Sequence, residues 1–380
     1  MAPGNMTRIA KNPFKPTFGV SPPLLVGRDV LLDDFSIGLD DDPGHPSRAT
    51  IYTGSRGIGK TVLLNEVERA AQARGWLVIA ETARDGLVSR FVQEHLPKYL
   101  TEHADNATKT RLTGLGLFGG NAAWTTSDTY TVTAGMRTLL DELLIALARN
   151  DAGVLITVDE LRPEVRELEE MLTVLQHTFR EEREIAFAGA GLPGPVDQLV
   201  KQPGMTFLQR AATEHLSDVP LADVADAIRK PIEAAGRKIS SAALDEAARA
   251  TDGYPFLIQL VGYYSWNQNL TALEVSPQDV ERGALQAQRR VGSLVHGPVV
   301  KDCSPVAISY LLAMAIDDGP SRTADVAERI KATAGYGSQY RQQLITAGLI
   351  KPTSHGFIDF ALPGLREYMR DHAAILSIQP

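Results

Sequence analysis

Residues 54–61 read GSRGIGKT. The octet satisfies the spacing G-x-x-x-x-G-K-[ST], with Gly54, Gly59, Lys60 and Thr61 at the fixed positions. In a chain with 32 glycines the flanks give such a match its meaning. Upstream lies ATIYT, short and β-branched, which predicts a buried strand. Downstream, TVLLNEVERAAQAR repeats Leu63, Leu64, Val67, Ala70 and Ala71 at helical spacing. Strand, glycine loop and helix in that order suit a phosphate cradle. Glycines let backbone N–H groups turn inward, and a helix N-terminus adds a positive field. Gly54, Ser55, Arg56, Gly57, Ile58 and Gly59 form the cradle, Lys60 reaches the β- and γ-phosphates, and Thr61 ligates Mg²⁺.

A second stretch fits the first. Residues 154–160 read VLITVDE, a continuous apolar run closed by two carboxylates. A central parallel strand needs such a run. An Asp at its C-terminal end can hold the water shell of Mg²⁺, and the adjacent Glu can orient and deprotonate an attacking water. These roles fall to Asp159 and Glu160. GWLVIAETA (75–83) and IAFAGAGLP (185–193) read as further buried strands. Between the last two, Val165, Leu168, Leu172, Leu175 and Phe179 share one helical face. Strands alternating with helices predict an α/β fold with a parallel sheet.

Together the motifs resemble the AAA+ and STAND ATPases, in particular the archaeal-type ATPases related to origin-recognition and replication-initiator proteins. PPLLVGRDVLLDDF (22–35) is similar to their entry motif, where Val26, Gly27 and Arg28 border the adenine. GYPFLIQLVGYYSW (253–266) is similar to their lid helix, whose proline, here Pro255, packs near the nucleotide. The resemblance runs from about 22 to about 370. It implies a P-loop core at 22–216, a helical lid at 217–298 and a C-terminal winged helix-turn-helix at 299–380, after an extended arm at 1–21. It also implies ATP or ADP with Mg²⁺. Two departures stand out. Ala188, Gly189, Ala190 and Gly191 lie where the family carries a polar sensor, and GYPFLIQL lacks the usual sensing arginine. Arg210, after the sensor strand, is a candidate for reaching a neighbouring copy's nucleotide, or an ordinary surface charge.

Residues 217 to about 295 read as helices, with LVHGPVV (294–300) as a linker. The last 80 residues read as three helices and then a hairpin turning at Ser354, His355 and Gly356. In DNA-binding winged helices the third helix enters the major groove. Its polar residues here are Ser338, Gln339, Arg341, Gln342 and Thr346, with Lys351 and His355 on the wing. Yet residues 301–380 carry eight Lys/Arg and eight Asp/Glu, without the basic footprint of most DNA binders. DNA contact and protein docking both stay open. The glycine-broken stretch 110–132 reads as an inserted hairpin or loop, either a plain surface insertion or a contact with a partner or nucleic acid through Phe118 and Trp124.

Net charge is −8, which argues against non-specific polyanion binding. The one cysteine, Cys303, excludes an intrachain disulfide, and the polar N-terminus carries no apolar signal core; both point to the cytoplasm. No apolar run reaches the roughly 18 residues of a membrane span. The expected function is an ATPase with slow Mg²⁺-dependent hydrolysis whose nucleotide state controls the winged helix. The alternatives are a nucleotide-locked switch or scaffold with hardly any turnover, and a homo-oligomeric DNA-loading or transposition-type motor.

Overall fold

The computed structural model describes residues 11–17, 19–105, 108 and 129–376. The chain divides into two compact units. One comprises residues 30–53 and 63–215; the other comprises 1–29, 54–62 and 216–380.

The first unit is built on five strands: β1 (Ala49–Thr53), β2 (Leu77–Thr82), β3 (Val154–Asp159), β4 (Ile185–Gly191) and β5 (Ala212–His215). All pair in parallel, in the order β2-β3-β4-β1-β5. Parallel neighbours need crossover connections, and the intervening helices supply them. β3 and β4 are buried almost throughout, as their uninterrupted apolar runs predict. β5, sequence ATEH, is an edge strand with half its residues exposed. It has no apolar run, so periodicity alone passes over it.

α1 (Asp29–Asp40) precedes β1, and α2 (Lys60–Ala73) follows the glycine loop, burying Leu63, Leu64, Val67 and Ala71. α3 (Leu87–Arg90) continues through a π turn (Phe91–His95) into α4 (Leu96–His103). α5 (Thr129–Leu147) buries Met136, Leu139, Leu140, Leu143 and Leu144. The last residues of the expected insertion, 129–132, are therefore the first turn of a helix. Phe118 and Trp124 lie outside the described residues. α6 (Arg166–Arg180) buries Leu168, Met171, Leu172 and Leu175, the face anticipated from spacing. Two short helices, α7 (Pro193–Lys201) and α8 (Thr206–Arg210), lead to β5.

The second unit contains the glycine loop and α9 (Leu221–Ala234), α10 (Ser241–Thr251), α11 (Pro255–Gln268) and α12 (Pro277–Val291). A two-residue parallel pair, β6 (Lys238–Ile239) with β7 (Glu274–Val275), links them. α12 starts on a capping box in which Ser276 and Asp279 exchange hydrogen bonds, so two end-of-helix donors are satisfied reciprocally. α11 is buried nearly all round. Gly283 of α12 admits Ser265, and Gly262 admits the ring of Phe14, because a β-carbon at either glycine would stand 2.4–2.5 Å from those side chains. Phe14 belongs to the extended segment 11–17, whose Asn12 amide donates to the Tyr263 carbonyl and to Asn267, both at 3.0 Å.

The expected linker at 294–300 is helical instead. α12 passes through a π turn (Gly292–His296) into α13 (Gly297–Lys301), and Val295, His296, Val299 and Val300 are buried. Gly292 and Gly297 both sit where a β-carbon would meet Tyr368. Beyond them come α14 (Pro305–Ala315), β8 (Ser321–Arg322), α15 (Thr323–Arg329), α16 (Ala334–Thr346), β9 (Ile350–Ser354), β10 (Phe357–Phe360), α17 (Leu365–Asp371) and α18 (Ala373–Leu376). The three strands form an antiparallel sheet in the order β8-β10-β9. The three helices and the hairpin match expectation; β8, α17 and α18 are additions. Buried Arg366 of α17 ties this segment together by donating to the Asp359 carboxylate and to the carbonyls of Met314 and Asp317.

Candidate functional site

The loop Gly54–Gly59 connects β1 to α2. Ile58 is buried and pins the loop's middle to the interior. A β-carbon on Gly54 would lie 2.9 Å from Ile58 Cγ2 and from the Leu216 carbonyl oxygen, so only glycine fits there. Gly57 and Gly59 have φ of +72° and +96°, values glycine adopts without steric cost. The Lys60 ammonium donates to the carbonyls of Gly54 and Ser55, both at 2.8 Å. Lys60 is thus folded over the loop from the first turn of a 14-residue helix. Thr61 follows on the exposed side of that turn.

Val26, Gly27 and Arg28 belong to the same unit as the loop. Gly27 has φ +66°, and a β-carbon on it would sit 3.5–3.6 Å from Pro220, Val219 and Asp223. Arg28 is buried, donating to the carbonyls of Gly27 at 3.0 Å and Ser217 at 2.5 Å. Burial lowers its pKa, and the charge of Asp218 opposes that shift. Asp218 itself is pushed up, first by burial, with Lys351 and Arg28 acting the other way.

Pro255 opens α11, where its missing N–H costs nothing. The residue before it, Tyr254, is fully buried, and its hydroxyl donates to the Arg56 carbonyl at 2.7 Å. Sequence reasoning passed over Tyr254 because an aromatic between Gly253 and Pro255 carries no motif signal.

In the other unit, β1 and β3 end at one edge of the sheet. Thr53 pairs with Gly191 of β4 and Val158 pairs with Gly189. With strands about 4.8 Å apart, Thr53 and Asp159 end about 10 Å from each other, on either side of β4. The glycine loop leaves from Thr53. Asp159 Oδ1 accepts from the Glu160 amide at 2.8 Å. Glu160 adopts φ +56°, and its side chain is 65% exposed, with Arg162 at 3.8 Å. Arg162 is held by two bonds to the Ala83 carbonyl. A third carboxylate, not anticipated, joins this edge. Glu68 of α2 accepts from the Thr157 hydroxyl at 2.6 Å. Its pKa is raised by burial first and also by Asp159's charge, while the Thr157 bond lowers it. Next to β3, buried Glu81 is held by Arg90 at 2.9 Å and His95 at 2.7 Å.

The small residues of β4 have a packing cause. Leu161 donates its amide to Ala190 O at 2.7 Å. A β-carbon on Gly189 would stand 2.5 Å from Leu161 Cδ1, and one on Gly191 would stand 2.9 Å from Leu161 O. Leu161, with Val196 Cγ2 at 2.6 Å from a β-carbon on Gly191, fills the space beside these glycines. Arg210 ends α8 with its side chain exposed.

In the C-terminal segment Ser338, Gln339 and Gln342 are exposed on α16, and Arg341 donates to Ser338 Oγ at 3.2 Å. Lys351 and His355 are exposed on β9 and its turn. Tyr336 and Tyr340, which sequence reasoning did not single out, form an edge-on pair on the same helix. Among the described residues no group of three or more His, Cys, Asp or Glu side chains is gathered for a metal.

The fold is that of AAA+ P-loop ATPases, and the resemblance to archaeal members of the origin-recognition type holds in three dimensions. A Walker-type ATPase of Pyrococcus abyssi, Paby2304, superposes with a TM-score of 0.66 at 14% identity, covering 91% of this chain and 96% of that one. The ORC2 protein of Aeropyrum pernix, solved as ADPNP–ADP complexes, gives 0.60 at 15% identity over 95% of this chain and 98% of that one. Residues 293–369 match a family model described as a domain of unknown function, DUF8462. The match begins inside the π turn carrying His296 and ends beyond Tyr368. No curated protein matches the sequence.

Proposed function

We propose that this chain is an ATP-binding AAA+/STAND ATPase with slow Mg²⁺-dependent hydrolysis, whose nucleotide state acts on a C-terminal winged helix. One observation carries the reading. A glycine loop with two left-handed glycines and an inward-folded lysine opens a 14-residue helix, and that loop leaves the sheet edge where β3 delivers Asp159 and Glu160. Backbone N–H groups of 54–59 and the α2 dipole bind phosphate oxygens. Lys60 exchanges its two carbonyl partners for β- and γ-phosphate oxygens. Val26, Gly27, Arg28 and Pro255 border the base. Thr61 and Asp159 offer hard oxygen donors that suit a magnesium ion arriving with the phosphates. When bound, the ion neutralises phosphate charge. Glu160, its side chain exposed, orients a water and takes its proton.

The domain division proposed is 1–21 arm, 22–216 core, 217–298 lid and 299–380 winged helix. The order of α14, α15, α16 and the β9–β10 hairpin supports the last of these. Its third helix offers Ser338, Gln339, Arg341 and Gln342, and its wing Lys351, to DNA or to a protein partner. No helix among the described residues is long and apolar enough to cross a membrane; a cytoplasmic protein, free or self-associated, is the reading adopted. A second reading, a nucleotide-locked switch, draws on one feature: Ala188, Gly189, Ala190 and Gly191 of β4 carry no side-chain donor, and losing a transition-state donor typically costs about 100-fold or more in rate.

Calorimetry of Lys60→Ala tests the reading. ATP binding should disappear, because the loop loses its phosphate-directed cation. Equal affinity in mutant and wild type would reject the phosphate-loop assignment.

A further inference from the structure

Gly57 sits in the middle of the glycine loop with φ +72°. A second constraint acts at the same residue. A β-carbon there would lie 1.9 Å from the Tyr254 hydroxyl oxygen and 2.6 Å from its Cζ. The Tyr254 phenol therefore lies directly against the turn of the loop. The residue is fully buried, and its hydroxyl donates to the Arg56 carbonyl at 2.7 Å. All these residues belong to one compact unit.

That carbonyl is part of the peptide joining Arg56 to Gly57. No peptide bond in the described chain is cis. In a trans peptide the C=O and the N–H point to opposite sides of the chain. Fixing the Arg56 carbonyl on the Tyr254 side therefore aims the Gly57 N–H to the other side. A loop with free-turning glycine peptides must order them when an anion binds, and each ordered residue costs conformational entropy. Pinning the peptide beforehand removes that cost from binding.

Tyr254 can act as an anchor because it is itself held. Its amide donates to the Thr251 carbonyl at 2.8 Å, and its carbonyl accepts from the Ile258 amide at 3.0 Å. Gly253, with φ +72°, turns the chain into α11, and its carbonyl accepts from the Val219 amide at 2.8 Å. Burial raises the phenol's pKa, so the hydroxyl keeps its proton and remains a donor.

We propose that Tyr254 is a positioning residue for the phosphate loop: from the cap of α11 it pins the Arg56–Gly57 peptide and presents the Gly57 N–H to a polyphosphate anion. The proposal rests on the reading of the loop as a nucleotide site. It makes the coupling reciprocal. An anion that needs this peptide orientation must in turn stabilise the start of α11.

The test uses the full-length chain and the variant Tyr254→Phe, which keeps the ring and removes the hydroxyl. Calorimetry with ATP, ADP and adenosine should give about tenfold weaker binding of ATP and ADP, or about 1.4 kcal/mol, and unchanged binding of adenosine. An equal loss for all three ligands would mark a purely structural role and overturn the proposal. Hydrogen exchange on the wild type gives a reading that does not depend on the variant folding. Amides 254–258 should exchange several-fold more slowly with saturating ADP than with saturating adenosine, and no difference overturns the proposal. If Tyr254→Phe binds ATP as the wild type does while Lys60→Ala does not bind, Tyr254 has no positioning role and the nucleotide site stands. If the wild type binds neither ATP nor ADP, the nucleotide reading itself is wrong.

Discussion

Gly189→Ala should destabilise the sheet-bearing unit through one side chain, Leu161. The added β-carbon would lie 2.5 Å from Leu161 Cδ1 and 3.1–3.2 Å from the Phe187 ring. Both neighbours are buried, Leu161 at 1% exposure and Phe187 at 0%. Overpacking of this kind costs about 1–3 kcal/mol. Leu161→Ala alone opens a cavity and costs about 2–5 kcal/mol. In the double variant the shortest contact is gone, and the new methyl occupies part of the cavity. The two losses should then sum to less than their parts, with a coupling of about 1–2 kcal/mol. Denaturant unfolding of wild type, both single variants and the double variant measures the cycle. Strict additivity, within about 0.5 kcal/mol, would refute the claim that Leu161 is why β4 carries glycine at 189.

Three further outcomes are expected. Glu160→Gln should bind ATP like the wild type and lose its hydrolysis, measured by phosphate release; a mutant turning over at the wild-type rate removes Glu160 as the base. Turnover of dilute protein should stay well below about 1 per second and rise with protein concentration, since an arginine supplied in trans raises rates about 1,000-fold or more. Arg210→Ala should lose only that rise, and fast turnover independent of concentration would show a site complete in one chain. Burial holds the His296 pKa down to about 4, so the unfolded chain takes up the proton first, near about 6.5. The folded-state advantage is therefore present above about pH 6.5 and is lost progressively as pH falls towards 4, by about 3 kcal/mol in all. His296→Phe should flatten the stability profile over that window, and an unchanged profile would contradict the assignment.

The glycine loop between strand and helix, the acidic strand end and the parallel sheet were legible in the residues themselves. Each depends on local rules: glycine for left-handed φ, a helix stripe at Leu63, Leu64 and Val67, and an unbroken apolar run from Val154 to Val158. The helix after Gly253 was legible for the same reason, since Pro255 and Gly253 punctuate the chain around its start. What stayed hidden depends on partners distant in sequence. β5 is an edge strand whose ATEH pattern means nothing without β1 beside it. Residues 294–300, read as a linker, are helical although they hold a glycine and a proline; the structure buries Val295, Val299 and Val300 there, and burial outweighs a propensity of about 1 kcal/mol per glycine. Tyr254 and Arg56 are 198 residues apart, and Leu161 meets Gly189 only across adjacent strands. Side-chain contacts of that kind have no period and no spacing. Tertiary packing alone decided that Tyr254 would bond the glycine loop and that Leu161 would pack against Gly189 and Gly191.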